Sequence, residues 1–237
     1  MSRRYKRARH KRVLALLEKL NADFLKKVEC YFGGGTRIAL ELDEYRESAD
    51  VDLLCSSRAG YRELRSTVSN VSLGEIASKP ISLAREVTAD LYGIRTFIDI
   101  DNEKVKFEIV NEARIDLKSA KVANLPVPCL DQRTCFAEKF LANCDRWADR
   151  AVLSRDVIDL AFMMNAWGEE IALQGFEDAQ AAYGTAPERD LKLSVIKLLG
   201  DEDYYKRCVT GLSIADNAGL MSGLKKLSSW KLPVTKK

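Results

Sequence analysis

Two carboxylates, Asp50 and Asp52, stand either side of Val51 in a stretch, Ala49-Asp50-Val51-Asp52-Leu53-Leu54, that reads as a β-strand emerging from a polar loop. Residues two apart in a strand share a face, so both carboxylates aim at one point while Val51 turns to the core. Held that close they repel, and one pKa rises unless a cation sits between them. Hard oxygen donors suit Mg2+, which takes one or two protein carboxylates and completes its shell with water and substrate phosphate. Thr36 lies fourteen residues before Asp50, directly after Gly33-Gly34-Gly35. Glycines let the backbone approach a phosphate closely, and the N–H groups that open the following helix favour anions. Three glycines alone are ordinarily a turn, and Asp-x-Asp alone a solvated strand end. In this order, joined by one amphipathic segment (Ile38, Ala39, Leu40, Leu42), they form a phosphate cradle and a metal clamp, the parts that nucleotidyl transfer needs.

The series Gly34-Gly35-Thr36, Arg46, then Ser48-x-Asp50-x-Asp52 resembles the first motif of the DNA polymerase β nucleotidyltransferase superfamily. Within it, the chain is most similar to the AbiEii/AbiGii toxin family, to which the MenT toxins also belong. A second block, Ala137-Glu138-Lys139, Arg146 and Arg155-Asp156-x-x-Asp159-Leu160, resembles that family's "AeKllAl…R…RDxxDl" motif. Read alone, Lys139, Asn143, Arg146 and Arg150 recur on one helix face, with Asp156 and Asp159 a turn apart on the next helix. A solvated charged face explains that pattern equally well.

The resemblance implies that Lys139 contacts nucleotide phosphates as a compact cation. It also implies that Asp156 completes the catalytic group by orienting Lys139 or the acceptor hydroxyl, and that Arg146 is structural or phosphate-facing. Gly34, Gly35, Thr36 and Ser48, with Arg46, would hold the triphosphate. The superfamily further implies a third carboxylate on a neighbouring strand. Glu108 is the candidate, while Asp99 and Asp101 alternate inward together and compete; a plain solvated hairpin is the remaining reading. The resemblance covers roughly residues 30–165.

The implied reaction moves a nucleoside monophosphate from an NTP to an acceptor hydroxyl and releases pyrophosphate. Two Mg2+ ions held by Asp50, Asp52 and Glu108 would stabilise the attacking and leaving oxygens, and Lys139 would neutralise the leaving group. The resemblance points to RNA as acceptor, the 3′ end of tRNA above all, and to a cognate antitoxin as partner. A small-molecule or protein nucleotidyltransferase, of antibiotic-modifying or AMPylating type, would share every residue named. A degenerate RNA-binding module is the non-enzyme alternative, against which the intact Asp50/Asp52 pair argues.

Composition narrows the chemistry. Hydrophobic residues make up 46% of the 237-residue chain and charged ones 31%, the proportions of a soluble globular protein. No run approaches the roughly 18 apolar residues of a membrane span. No signal-like apolar core follows the charged start MSRRYKRARHKR, so the expected location is the cytoplasm, with no membrane partner. Six cysteines form no C-x-x-C pair and the chain has one histidine, which argues against structural zinc and for free buried thiols. His10 lies in the basic start and reads as a surface residue, which nearly excludes a His-based triad. The net charge is only +3, but Arg3, Arg4, Lys6, Arg7, Arg9, Lys11 and Arg12 crowd the first twelve residues, and Lys225, Lys226, Lys231, Lys236 and Lys237 load the other end. Such clusters commonly bind nucleic acid, through Arg3, Arg4, Lys6, Arg7 and Arg9 in particular, or else form a solubilising tail.

The elements that must position these residues follow from periodicity. Residues 5–29 read as one amphipathic helix feeding a strand at 28–32. Residues 61–70 read as a helix, and 96–101 with 104–110 as a hairpin whose Val105, Phe107 and Ile109 share one face. Leu125-Pro126-Val127-Pro128 reads as an extended linker. Beyond it six helices are predicted, over 131–147, 154–167, 173–183, 188–199, 203–215 and 221–227, with Asp131 and Ser154 as N-caps. The expected fold class is therefore α+β: a polymerase-β-like nucleotidyltransferase domain, a mixed sheet with flanking helices, over 1–125. A helical domain over 126–237 would follow and complete the active site.

Overall fold

The computed structural model describes residues 5–231. The chain forms two compact units, Met1–Asp131 and Gln132–Lys237. The division falls six residues later than the proline stretch suggests. Those prolines lead into a short strand, β8 below, that pairs within the first unit.

The first unit opens with two helices, α1 (Ala8–Leu17) and α2 (Ala22–Lys27), in place of the single helix expected over 5–29. The break has a local cause. Leu20 forms a β-bridge with Ala77, and the Asn21 side chain caps α2 by accepting the Phe24 amide at 3.1 Å, as Asn does at helix starts. Next come β1 (Cys30–Phe32), α3 (Gly34–Glu41), β2 (Val51–Cys55) and α4 (Arg58–Thr67), then a 3-10 turn at Gly74–Ile76. The short β3 (Ser82–Leu83) and β4 (Thr88–Ala89) precede the long hairpin of β5 (Gly93–Ile100) and β6 (Glu103–Asn111). The short β7 (Ser119–Ala120) and β8 (Cys129–Leu130) close the unit.

The strands form one mixed sheet in the order β3-β5-β6-β2-β1-β8-β7, with β4 also on β5. β1 and β2 are antiparallel, whereas β2 and β6 are parallel. Period-two alternation decides the faces. Val51, Leu53, Phe107 and Ile109 are buried in a core shared with Val13, Leu16 and Leu17 of α1, Phe24 of α2, and Tyr61 and Leu64 of α4. Asp52 and Glu108 therefore lie on the opposite face.

The second unit is helical among its described residues: α5 (Gln132–Arg146), α6 (Arg155–Trp167), α7 (Glu169–Tyr183), α8 (Ala186–Gly200), α9 (Glu202–Gly211) and α10 (Asn217–Ser229). Aromatic rings fill its centre. Phe140 meets Phe176 edge-on at 5.3 Å and Phe136 meets Trp167 at 5.8 Å, separations favourable for such pairs. Ser154 is not the cap expected for α6. It sits at φ +50 without a capping bond, and its hydroxyl pairs with Tyr204 at 3.0 Å.

Candidate functional site

β1 delivers the chain to Gly33, whose amide donates to the Asp52 carbonyl at 2.9 Å. The turn before α3 is thereby pinned to the start of β2. Gly34 then opens α3 at φ +67, a conformation that costs a residue bearing a Cβ about 1–2 kcal/mol. A Cβ there would also lie 2.6 Å from Asp52 Oδ2. Glycine is required on both counts, and the Asp52 carboxylate ends up against the helix start, whose free amides make it the positive end. In the same first turn, after the half-buried Gly35, the buried Thr36 shares a 2.8 Å hydroxyl–hydroxyl hydrogen bond with Ser48. That bond ties α3 to the loop leading into β2. Asp50 lies in this loop, one residue ahead of the strand.

Strand register supplies the next neighbours. Asp52 stands opposite Glu108 in the parallel β2–β6 pair, and Arg95 of β5 stands opposite Glu108 on its other side. The three form a row across strands spaced about 4.8 Å apart. Glu108 accepts from Arg95 Nε at 2.8 Å and from Lys106 Nζ at 2.6 Å. Burial pushes its carboxyl up, but these two cations outweigh burial and hold it below the usual carboxylate range. For Lys106 burial works downward, and the pull of Glu108, Asp52 and Asp50 outweighs it. One ammonium thus sits in the field of all three carboxylates. The rival acids lie at the hairpin tip: Asp99 accepts the Asn102 amide at 2.9 Å, and Asp101 is in the turn at φ +56.

His10 corrects the surface reading. It is fully buried on the apolar face of α1. The Ser48 amide donates to its Nε2 at 3.2 Å, and its Nδ1 lies 2.8 Å from Glu44 Oε1. Since Nε2 accepts, Nδ1 carries the hydrogen and the ring is neutral. Burial lowers the imidazole pKa and overrides the upward pull of Glu44. Glu44 also accepts the backbone amides of Lys6 and Arg7, at 2.8 and 3.0 Å. The start of α1 and the Ser48 loop are therefore clamped through one imidazole and one carboxylate. The sequence carried a signal, since His10 is in phase with Val13 and Leu17 on the buried stripe. Arg46, expected at the nucleotide, is buried and donates to the Glu47 carbonyl at 3.0 Å, its guanidinium 5.9 Å from the Tyr45 ring.

Of the basic start, Arg3 and Arg4 lie outside the described residues, as do Lys236 and Lys237. Lys6 and Arg7 engage Glu44 through their amides, and Arg7 Nε also donates to the Glu44 carbonyl at 3.2 Å. Arg9 and Arg12 project beside Asp50. With Lys104 and Glu103 they line a cavity of about 260 Å³.

In the second unit, the charged residues that a solvated face would equally have explained form a buried network. Lys139 Nζ lies 3.0 Å from Asp156 Oδ1 and 2.6 Å from Asp159 Oδ2. Arg146 grips Asp156 with two donors, at 2.6 and 2.9 Å. Burial would raise the Asp156 carboxyl, but Lys139 and Arg146 hold it far below the carboxylate range. Lys139, Asp156 and Asp159 are buried, and the Arg146 side chain keeps 35% of its exposure. Arg146 is therefore the network's outward-reaching cation.

Whether the carboxylates of the first unit suit a divalent ion turns on their donors and their charge. Among the described residues, no three His, Cys, Asp or Glu side chains gather closely enough to ligate a metal. Both Glu108 oxygens face Arg95 and Lys106 instead. The oxygens of Asp50 and Asp52 are nonetheless the kind Mg2+ takes, and the Lys106 ammonium marks where their combined charge draws a cation. By donor type alone, these two carboxylates with water and substrate phosphate match what Mg2+ takes.

Comparison with known proteins gives the following. Residues 15–208 match the family model of the nucleotidyl transferase AbiEii toxin of type IV toxin–antitoxin systems. Two solved structures share the fold. JHP933 from Helicobacter pylori aligns with a TM-score of 0.54 and 18% identity, over 92% of this chain and 87% of that one. A second H. pylori protein, described as a nucleotidyltransferase, aligns with a TM-score of 0.51 and 14% identity, over 92% and 90%. No curated protein matches the chain.

Proposed function

The chain belongs to the AbiEii nucleotidyl transferase toxin family, and from that premise we propose that it moves a nucleoside monophosphate from an NTP to the 3′-terminal hydroxyl of a tRNA. The reaction requires Mg2+ and takes place in the cytoplasm, under the control of a cognate antitoxin. In the transfer, a bond forms between the acceptor oxygen and the α-phosphorus. The bond from that phosphorus to the β-bridging oxygen breaks, pyrophosphate departs, and the hydroxyl proton passes to solvent.

The observation that carries this reading is the contact between Gly34 and Asp52, with Glu108 in register beside them. It sets the amide-bearing start of α3 against the Asp52 carboxylate, so an anion and a cation can be held side by side. The amides of Gly34 and Gly35 receive the triphosphate, and the paired hydroxyls of Thr36 and Ser48 orient it. Asp50 and Asp52 would hold Mg2+, with Glu108 kept beside them by Arg95 and Lys106. The bound ion supplies charge neutralisation and a template for in-line displacement. Arg9 and Arg12, lining the cavity at Asp50, meet the acceptor's phosphates. In the second unit Lys139 and Asp156 position Arg146, whose part-exposed guanidinium is that unit's candidate cation for a phosphate.

The test is incorporation of each of four labelled NTPs into total tRNA with Mg2+, beside Asp52→Asn. Label at the tRNA 3′ end that vanishes in the variant is expected. Equal labelling by both proteins, or label appearing only on small-molecule or protein acceptors, overturns the proposal.

A further inference from the structure

On the first unit, a groove of about 1090 Å³ runs beside α4, lined by Arg58, Arg62 and Arg65 and floored by Tyr61, Val68 and Val87. It lies away from the carboxylate row. Asn111, at its edge, pairs with Cys55 at the far end of the β2–β6 ladder, three residues or about 10 Å along the strands from Asp52 and Glu108. None of the residues named for catalysis lines it.

Three features of this groove point to an anionic strand. Its lining residues include three guanidinium groups and no carboxylate. The three arginines are exposed, and among the described residues no carboxylate pairs with them. Arg37, Arg95 and Arg114 of the same unit each hold an acid. Their spacing is regular as well. Positions 58, 62 and 65 fall on one helix face, about 6 and 4.5 Å apart along the axis, so their guanidiniums form a row along the groove. Finally, the rim carries surface that a base can use. Leu91, in the lining, is 70% exposed, and Tyr92, the next residue in the chain though not itself in the lining, is 74% exposed. Ser66, Ser69, Asn70 and Asn111 add hydroxyls and amides. Guanidiniums tracking phosphates beside an open aromatic ring are the two parts of single-strand binding sites.

We propose that this groove binds a single-stranded segment of the acceptor RNA, away from its reacting end. The proposal rests on the RNA-acceptor reading above and assigns part of that RNA to α4. Arg58, Arg62 and Arg65 neutralise successive phosphates, and Tyr92 stacks on a base.

The experiment measures anisotropy of a fluorescein-labelled oligouridylate with the full chain, without nucleotide or divalent ion, over a salt series. Substituting Arg58→Gln, Arg62→Gln and Arg65→Gln together is expected to weaken binding about tenfold or more. It should also make the plot of log affinity against log salt shallower by about two, from three single-strand phosphate contacts. Tyr92→Ala should weaken binding with the slope unchanged. All four side chains are exposed, and circular dichroism melts verify that each variant folds. Wild-type affinity and slope in the triple variant overturn the proposal. So does oligoglutamate displacing oligouridylate at equal charge concentration, which would give the groove to an acidic protein partner. The two readings fail separately. Lost groove binding with tRNA labelling intact sinks the α4 assignment, whereas absent labelling with groove binding intact sinks the transfer reaction alone.

Discussion

The molecule carries two clusters in which lysine and arginine meet aspartate or glutamate, and solvent access separates them. In the first unit the side chain of Lys106, which bonds Glu108, is 41% exposed; in the second, that of Lys139, between Asp156 and Asp159, is 6% exposed. An exposed ammonium can yield its place to another cation at little cost, because water takes up the charge. A buried one cannot, because the two carboxylates it serves would be left without compensation in a poorly solvated interior. The open cluster is built to exchange partners and the closed one to hold a geometry. Similar residue types thus serve binding in one unit and positioning in the other.

Four substitutions and one titration probe this contrast, from the largest effect downward. Lys139→Met should destabilise the second unit by about 3–5 kcal/mol. Trp147, Trp167 and Trp230 all lie in that unit, so urea unfolding followed by tryptophan fluorescence reads it directly. A loss below about 1 kcal/mol would mean that the network is solvated after all. Asp52→Asn should lower nucleotide incorporation about a hundredfold or more, since a bound ion contributes several kcal/mol to the transition state, while leaving the urea midpoint in place. An inactive protein that is also unfolded would remove the contrast between binding and positioning. Gly34→Ala should cost about 1–2 kcal/mol through its left-handed φ. It should also raise KM for the NTP, because its Cβ displaces the Asp52 carboxylate.

Acid should separate the units further. His10 has a folded pKa below its unfolded value near 6.5, so the unfolded chain takes up the proton first. Its contribution is full above about pH 6.5 and fades as pH falls from there toward the folded value. For Asp156, whose folded pKa is depressed, stability is full well above about 3.9 and is lost progressively as pH falls from there through the folded value. Between about pH 7.5 and 5.5, therefore, the urea midpoint of the first unit, read by hydrogen-exchange protection of the β2 and β6 amides, should fall while that seen by tryptophan fluorescence holds. Parallel shifts would refute the assignment. The smallest effect belongs to Lys106→Met, at about 0–1 kcal/mol. A larger loss would show that the open cluster is structural.

What the sequence revealed was what neighbours along the chain determine. The Gly34–Thr36 turn, the Asp50/Asp52 spacing and the alternation of β6 are local patterns, and alternation alone put Glu108 on the face away from Val105, Phe107 and Ile109. The arginines of α4 are equally local in the sequence, but the groove that they line is formed with Val87, Leu91 and Asn111, more than twenty residues farther along the chain. The break at Asn21 was missed because helical periodicity outweighed a capping residue in mid-pattern. His10 was misplaced because its partners, Glu44 and Ser48, lie 34 and 38 residues away. Likewise the burial of Lys139 depends on Asp156, 17 residues on, and Arg46 turned inward onto its own loop. Long-range pairing decides whether a charge is wet or dry, and composition does not record it.

The clamp at His10 has a practical consequence. Both ring nitrogens of the chain's sole imidazole are occupied and sealed from water. An electrophile that acylates free imidazoles, such as diethyl pyrocarbonate, therefore finds no histidine target until α1 lifts from the loop that carries Ser48. The absorbance of the acylated ring would then serve as a clock for that opening, read from one atom pair in an otherwise silent background.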